Sequence, residues 1–141
     1  MKFIPFYLIF ALLIIFQSCG NKQLEANKIQ REKVIAIHDE VMPKMGKLKS
    51  LEKAALEKAE ELENSELPDL ARIEALKSLA AQLNQAYEGM FVWMRQYDVE
   101  DGDKTPEEVK TYLDEQMALV SKVNEDIKKA LVNAEELLQE N

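Results

Sequence analysis

The chain has 141 residues, with 26 acidic against 18 basic side chains and a net charge of −8. That balance argues against nucleic acid as a partner and against docking on anionic lipid through a basic patch. One cysteine, one histidine and four scattered glycines leave no intrachain disulfide, no two-histidine zinc helix, no phosphate loop and no dinucleotide turn. Ala, Leu, Glu and Lys dominate, and no stretch of alternating β-branched residues calls for a strand, so the composition predicts long helices.

Lys2 opens the chain with a short positive region, and Phe3 to Phe16 is a run of 14 uncharged residues. At about 1.5 Å per residue this makes roughly 21 Å of helix, short of the roughly 30 Å hydrocarbon core. A secretion signal fits better than a spanning helix. Phe16-Gln17-Ser18-Cys19 resembles the lipobox of bacterial lipoproteins, and its loosened form, with Phe16 and Gln17, is similar to the lipoboxes of Bacteroidetes. The resemblance implies cleavage before Cys19, a covalent lipid on that residue and anchoring to the membrane through it. Two or three acyl chains anchor firmly where one does not. The competing expectation is a plain signal peptide cut nearby, leaving a free thiol. Gly20 after the cysteine implies, by the same resemblance, the outer membrane. The stretch Gly20-Asn21-Lys22-Gln23 lacks the acidic residues of surface-export signals and so favours the periplasmic face. The expected division is a signal peptide over 1–18, lipidated cysteine and tether over 19–23, and one helical domain over 24–140. Without residues 1–18, which hold Lys2 and no acid, the chain keeps 17 basic and 26 acidic residues, a net of −9.

A helical pattern opens at Leu24 and runs to about Glu63, with Val34, Ile37, Val41, Leu48, Leu51, Ala55 and Leu62 near one stripe. Pro43 interrupts it by removing the bond to the carbonyl of Asp39. The stripe keeps its phase, which favours one kinked helix over two separate ones. Asn64 to Pro68 is a turn, with Pro68 set as an early helical residue. The second helix runs to about Tyr97 on a heptad seam of Ile73, Leu76, Ala80, Leu83, Tyr87, Met90, Met94 and Tyr97. Asp98 to Lys104 reads as a solvated acidic turn with Gly102 at positive φ, because its spacing fails the calcium-loop pattern. Thr105-Pro106-Glu107-Glu108 is a capping box with proline at the first helical position. The third helix runs to about Gln139 on Leu113, Gln116, Val120, Val123, Ile127, Ala130, Ala134 and Leu137. The expected fold is all-α, a long antiparallel three-helix bundle running up, down and up.

Folding these helices back on one another sets the expected register. His38 comes level with Trp93, Met42 with Gly89 and Met45 with Ala86. Across the second turn, Met90 faces Leu113 and Ala86 faces Met117. The five methionines after residue 1, the only histidine and the only tryptophan then share one band at the end of the bundle nearest Cys19. That band reads as a core layer, since methionine fills irregular space and Trp93 brings large apolar area. The alternative is a soft-metal site for Cu(I) or Ag(I), with His38, Met42, Met45, Met90 and Met94 as candidate ligands.

Ile37 to Gly46 and Met90 to Met94 resemble small lipoproteins of Bacteroidetes of unknown function, some labelled "viral A-type inclusion protein". The resemblance implies no catalytic residues. Catalytic residues, a small-molecule substrate and a cofactor other than the lipid are not expected. The leading expectation is a non-enzymatic, lipid-anchored interaction or structural module of the cell envelope, with a protein partner or self-association. The alternative is a periplasmic soft-metal-binding protein.

Overall fold

The computed structural model describes residues 4–139, with side chains from Lys22 onward. The chain is all-α: α1 (Ile4–Val41), a single 3-10 turn (Met42–Lys44), α2 (Met45–Glu63), α3 (Leu70–Gln96) and α4 (Pro106–Gln139), with no strand among the described residues. The side chain of Cys19 and those of the expected signal segment lie outside the described residues. Gln23 belongs to α1, where its side-chain amide donates to Asn27 at 2.8 Å. Among the described residues no helix is long and apolar enough to cross a membrane.

Pro43 breaks the α-helical pattern without reversing its hand. Val41 (φ −107°, ψ −16°), Lys44 (φ −89°, ψ −8°) and Met45 (φ −60°, ψ −40°) are all right-handed, and the Met45 N–H donates to the Met42 carbonyl. Proline has no N–H to offer the carbonyl one turn back, so the chain tightens to the shorter 3-10 spacing. The expected single kinked helix is therefore two α-helices joined by one 3-10 turn. The turn also changes neighbours: the α1 backbone lies close against α4, and the α2 backbone lies close against α3. Between α1 and α3 the space is bridged by long and aromatic side chains.

The turn at residues 64–69 is closed by the Ser65 N–H on the Leu62 carbonyl at 3.3 Å. Pro68 lies outside the helix that follows, contrary to its expected early helical place. The cap is Asp69, in extended conformation, whose carboxylate accepts the Arg72 N–H at 3.0 Å. The capping box of α4 is formed reciprocally: the Thr105 N–H donates to Glu108 Oε2 at 2.8 Å and the Glu108 N–H to Thr105 Oγ1 at 3.3 Å. Gly102 takes φ +58°, the left-handed conformation that glycine tolerates.

The expected pairing of α3 with α4 is out of register. Tyr97 stacks on Tyr112, with 6.2 Å between ring centroids, and Asn133 donates to Gln82 at 3.1 Å. Leu113 therefore lies near the end of α3 rather than opposite Met90, and Met117 lies nearer Trp93 than Ala86. The cause is the asymmetry of the connection. Tyr97 leaves α3 with ψ 120°, and Tyr112 holds Asp98 by accepting its N–H at 2.6 Å and donating to its carbonyl at 3.2 Å. The first turns of α4 consequently overhang the end of α3 and pack along α1, where Asn27 donates to the Pro106 carbonyl at 2.7 Å.

Among the described residues one core joins all four helices, from Val34 on α1 to Ala134 on α4. Val34, Val41, Leu48, Leu76, Leu83, Met90, Val120 and Ile127 are fully buried in it. On α3 the buried stripe is shifted from the expected seam: Leu79, Ala86 and Trp93 are buried, while Tyr87, Met94 and Tyr97 pack half-buried at its edge. Leu76, Leu83 and Met90 with Leu79, Ala86 and Trp93 keep the seven-residue spacing, so the heptad persists on a face turned towards the position before each expected one.

Candidate functional site

The chemistry-bearing residues gather where α1 and α3 are held apart. Trp93 is 2% exposed and projects from α3 into this space. The His38 ring lies 5.5 Å from the Trp93 ring, the level expected from the sequence. Trp93 in turn stacks on Tyr97 at 4.8 Å. Arg31, two turns before His38, closes the far end. Its guanidinium donates to Tyr97 Oη at 3.3 Å and to the Asp98 carbonyl at 3.1 Å, and pairs with Asp101. Burial pushes the Tyr97 phenol above its ordinary pKa, against the opposing pull of Arg31.

His38 makes two polar contacts. Its Nδ1 lies 2.8 Å from Asp39 Oδ1, and its Nε2 lies 3.2 Å from Met94 Sδ. An ionised carboxylate only accepts, so the proton of a neutral imidazole belongs on Nδ1 and the Nε2 lone pair faces the thioether. The His38 side chain is 17% exposed, and Met94 is half-buried, so the pair borders both core and solvent.

Of the five candidate ligands, the structure brings His38 and Met94 together. Met90 is fully buried and Met45 is 6% exposed, both within the core, while Met42 packs half-buried against it. Among the described residues no group of three or more His, Cys, Asp or Glu side chains could hold a metal ion.

Two features escaped the sequence pattern. Asn27 and Asn124 are each 5% exposed, and both point from helix faces that read as apolar seams or their margins. Asn124 Nδ2 donates to the Ile37 carbonyl at 2.9 Å and to Glu40 Oε2 at 3.0 Å. The signal, an asparagine beside an apolar stripe, is too common to single out. The second feature is a pair of orphaned polar atoms. Trp93 Nε1 and Gln116 Oε1 are buried with no hydrogen-bond partner. Each lies one turn inward from the stacked Tyr97–Tyr112 pair, on facing helices.

A cleft of about 270 Å³ lies between α3 and α4, lined in part by Gln82, Gln85, Gly89, Lys122, Asp126 and Lys129. Lys122 pairs with Asp126 one turn on, so much of the charge in the cleft is neutralised within it. No protein-family model, no curated protein and no solved structure matches this chain.

Proposed function

We propose that the protein is a non-enzymatic, lipid-anchored module of the cell envelope, held through Cys19 at the periplasmic face of the outer membrane. In this reading the body is a three-helix bundle running up, down and up behind a cleaved signal. Three observations support that topology. The long-range side-chain bonds between the first arm, α1 followed by α2, and α4 step in the same direction along both, from Asn27–Pro106 through Asn124–Ile37 to Lys47–Glu135. Those between α2 and α3 step in opposite directions, Lys49 with Asn84 and Lys77 with Glu63. Those between α3 and α4 also do so, Tyr97 with Tyr112 and Gln82 with Asn133.

The observation that carries the interaction role is the tip of the arm. Leu67 and Leu70 are 90% and 75% exposed at the turn between α2 and α3. From Lys22 to Glu63 the arm measures about 60 Å at the helical rise, so the tip stands well away from the segment that carries Cys19. An anchored rod with an apolar tip suits contact with a partner protein or a second copy.

A photo-crosslinking residue at position 67 tests this in the membrane fraction. A discrete adduct that is lost in Leu70→Ser supports the module. Normal membrane fractionation without any adduct would keep the anchor and remove the interaction role. Cys19→Ala is expected to shift the protein out of the membrane fraction or leave it as precursor. Unchanged fractionation with an N-terminus still at residue 19 would remove the anchor.

A further inference from the structure

We propose that His38 Nε2 and Met94 Sδ form a two-donor site for a soft monovalent cation, Cu(I) or Ag(I), bounded on one side by the indole of Trp93. The site narrows the five-ligand alternative read from the sequence to two donors on two helices, and it does not depend on how the protein is anchored.

The donor chemistry comes first. Imidazole nitrogen and thioether sulfur suit soft d10 ions, whereas hard ions take oxygen. The two donor atoms converge across 3.2 Å from different helices, His38 from α1 and Met94 from α3. Without a proton on Nε2 this contact sets one lone pair against another, which no neutral hydrogen bond satisfies. A cation between them satisfies both.

The surroundings fit as well. The Asp39 carboxylate at 2.8 Å fixes the Nδ1 proton, leaving Nε2 as the free donor. A carboxylate behind a ligating histidine orients the ring and raises its basicity. At bond lengths of about 2.0 Å to nitrogen and about 2.3 Å to sulfur, as for a d10 ion such as zinc, the 3.2 Å separation corresponds to an N–metal–S angle of about 96°. About half an ångström of movement in the flexible methionine opens that angle to about 120°. The Trp93 ring, 5.5 Å from that of His38, supplies an aromatic face of the kind that attracts cations. His38 keeps 17% of its side chain exposed, so the pair sits at the border of core and solvent.

The chain holds one histidine and one tryptophan, so each reports without ambiguity. The test uses the full chain in detergent micelles with Cys19→Ala, so that no thiol competes, titrated with silver nitrate in chloride-free buffer. The expected results are a saturable 1:1 change in Trp93 fluorescence and, with 15N-labelled histidine, a shift of Nε2 larger than that of Nδ1. Met94→Leu keeps most of the volume and removes the sulfur, and it should weaken silver binding at least about tenfold. Met45→Leu, buried elsewhere in the core, should leave it unchanged. Equal silver affinity in Met94→Leu, or an unmoved Nε2 resonance in the parent chain, would overturn the site. If Met94→Leu loses its helical circular dichroism, the Nε2 resonance of the parent chain decides alone.

Discussion

Asn124 reaches from α4 to the Ile37 carbonyl on α1, 2.9 Å away, and its amide also donates to Glu40 at 3.0 Å. Glu40 receives Lys128 at 2.6 Å from the same α4 face. This buried amide fastens α1 to α4 one turn before the arm turns at Pro43 and crosses towards α3. Asn124→Ala removes two bonds, one of them charge-assisted, and leaves Glu40 its pair with Lys128. The expected loss is about 1–3 kcal/mol in chemical denaturation. A loss below about 0.5 kcal/mol would mean that water replaces the amide at no cost.

The capping box of α4 offers a second measurement. Thr105→Ala deletes the hydroxyl that accepts the Glu108 N–H and is expected to cost about 1 kcal/mol. A change near zero would place the start of α4 elsewhere.

Acid should weaken the fold through three carboxylates. Thr105 lowers the pKa of Glu108 through its backbone N–H and then its side chain, Lys128 and Asn124 lower that of Glu40, and Lys47 lowers that of Glu135. Each folded pKa lies below the ordinary 4.5, so as pH falls the unfolded chain takes up protons first. Their contribution is complete above about pH 4.5 and is lost as pH falls through the folded values. Denaturation midpoints at pH 7 and pH 3.5 should differ, and the difference should shrink in Glu40→Gln with Glu135→Gln. An identical pH dependence in that double variant would contradict the assignment.

Local signals were legible in the sequence, and so was the level of one long-range pair. The capping box at Thr105, the positive φ of Gly102 and the facing of His38 with Trp93 all follow from residues close in the chain or from one short turn. The α3–α4 register was not legible. It depends on how Tyr97 and Tyr112 fold the Asp98–Lys104 segment, and a turn counted from its midpoint ignores that asymmetry. The inward turn of Asn27 and Asn124 was hidden for a different reason. A buried amide is favoured only when specific carbonyls and carboxylates meet it, and those lie about 80 residues away in the chain. The 3-10 turn at Met42–Lys44 falls between these cases. Pro43 marks the interruption, but the exchange of α4 for α3 as the close neighbour is decided by packing on both sides.

Pro43 itself is exposed. With packing on both sides holding the bend, Pro43→Ala is expected to change stability by less than about 1 kcal/mol. A loss above about 2 kcal/mol would show that the ring, and not the packing, sets the turn.

Met90 separates packing from sulfur chemistry. It is fully buried, so Met90→Ala should cost about 2–5 kcal/mol, and Met90→Leu less than about 1.5 kcal/mol. Equal costs for the two variants would mean that the thioether, and not the volume, matters there.

The anchor is the centre of the functional account, and the intact mass of the protein purified from membranes tests it most directly. The account predicts a chain beginning at Cys19 and carrying the added mass of a diacylglyceryl group with an amide-linked acyl chain, with the lipid lost in Cys19→Ala. A membrane-derived chain that begins at another residue, or begins at Cys19 with a free thiol, would contradict it.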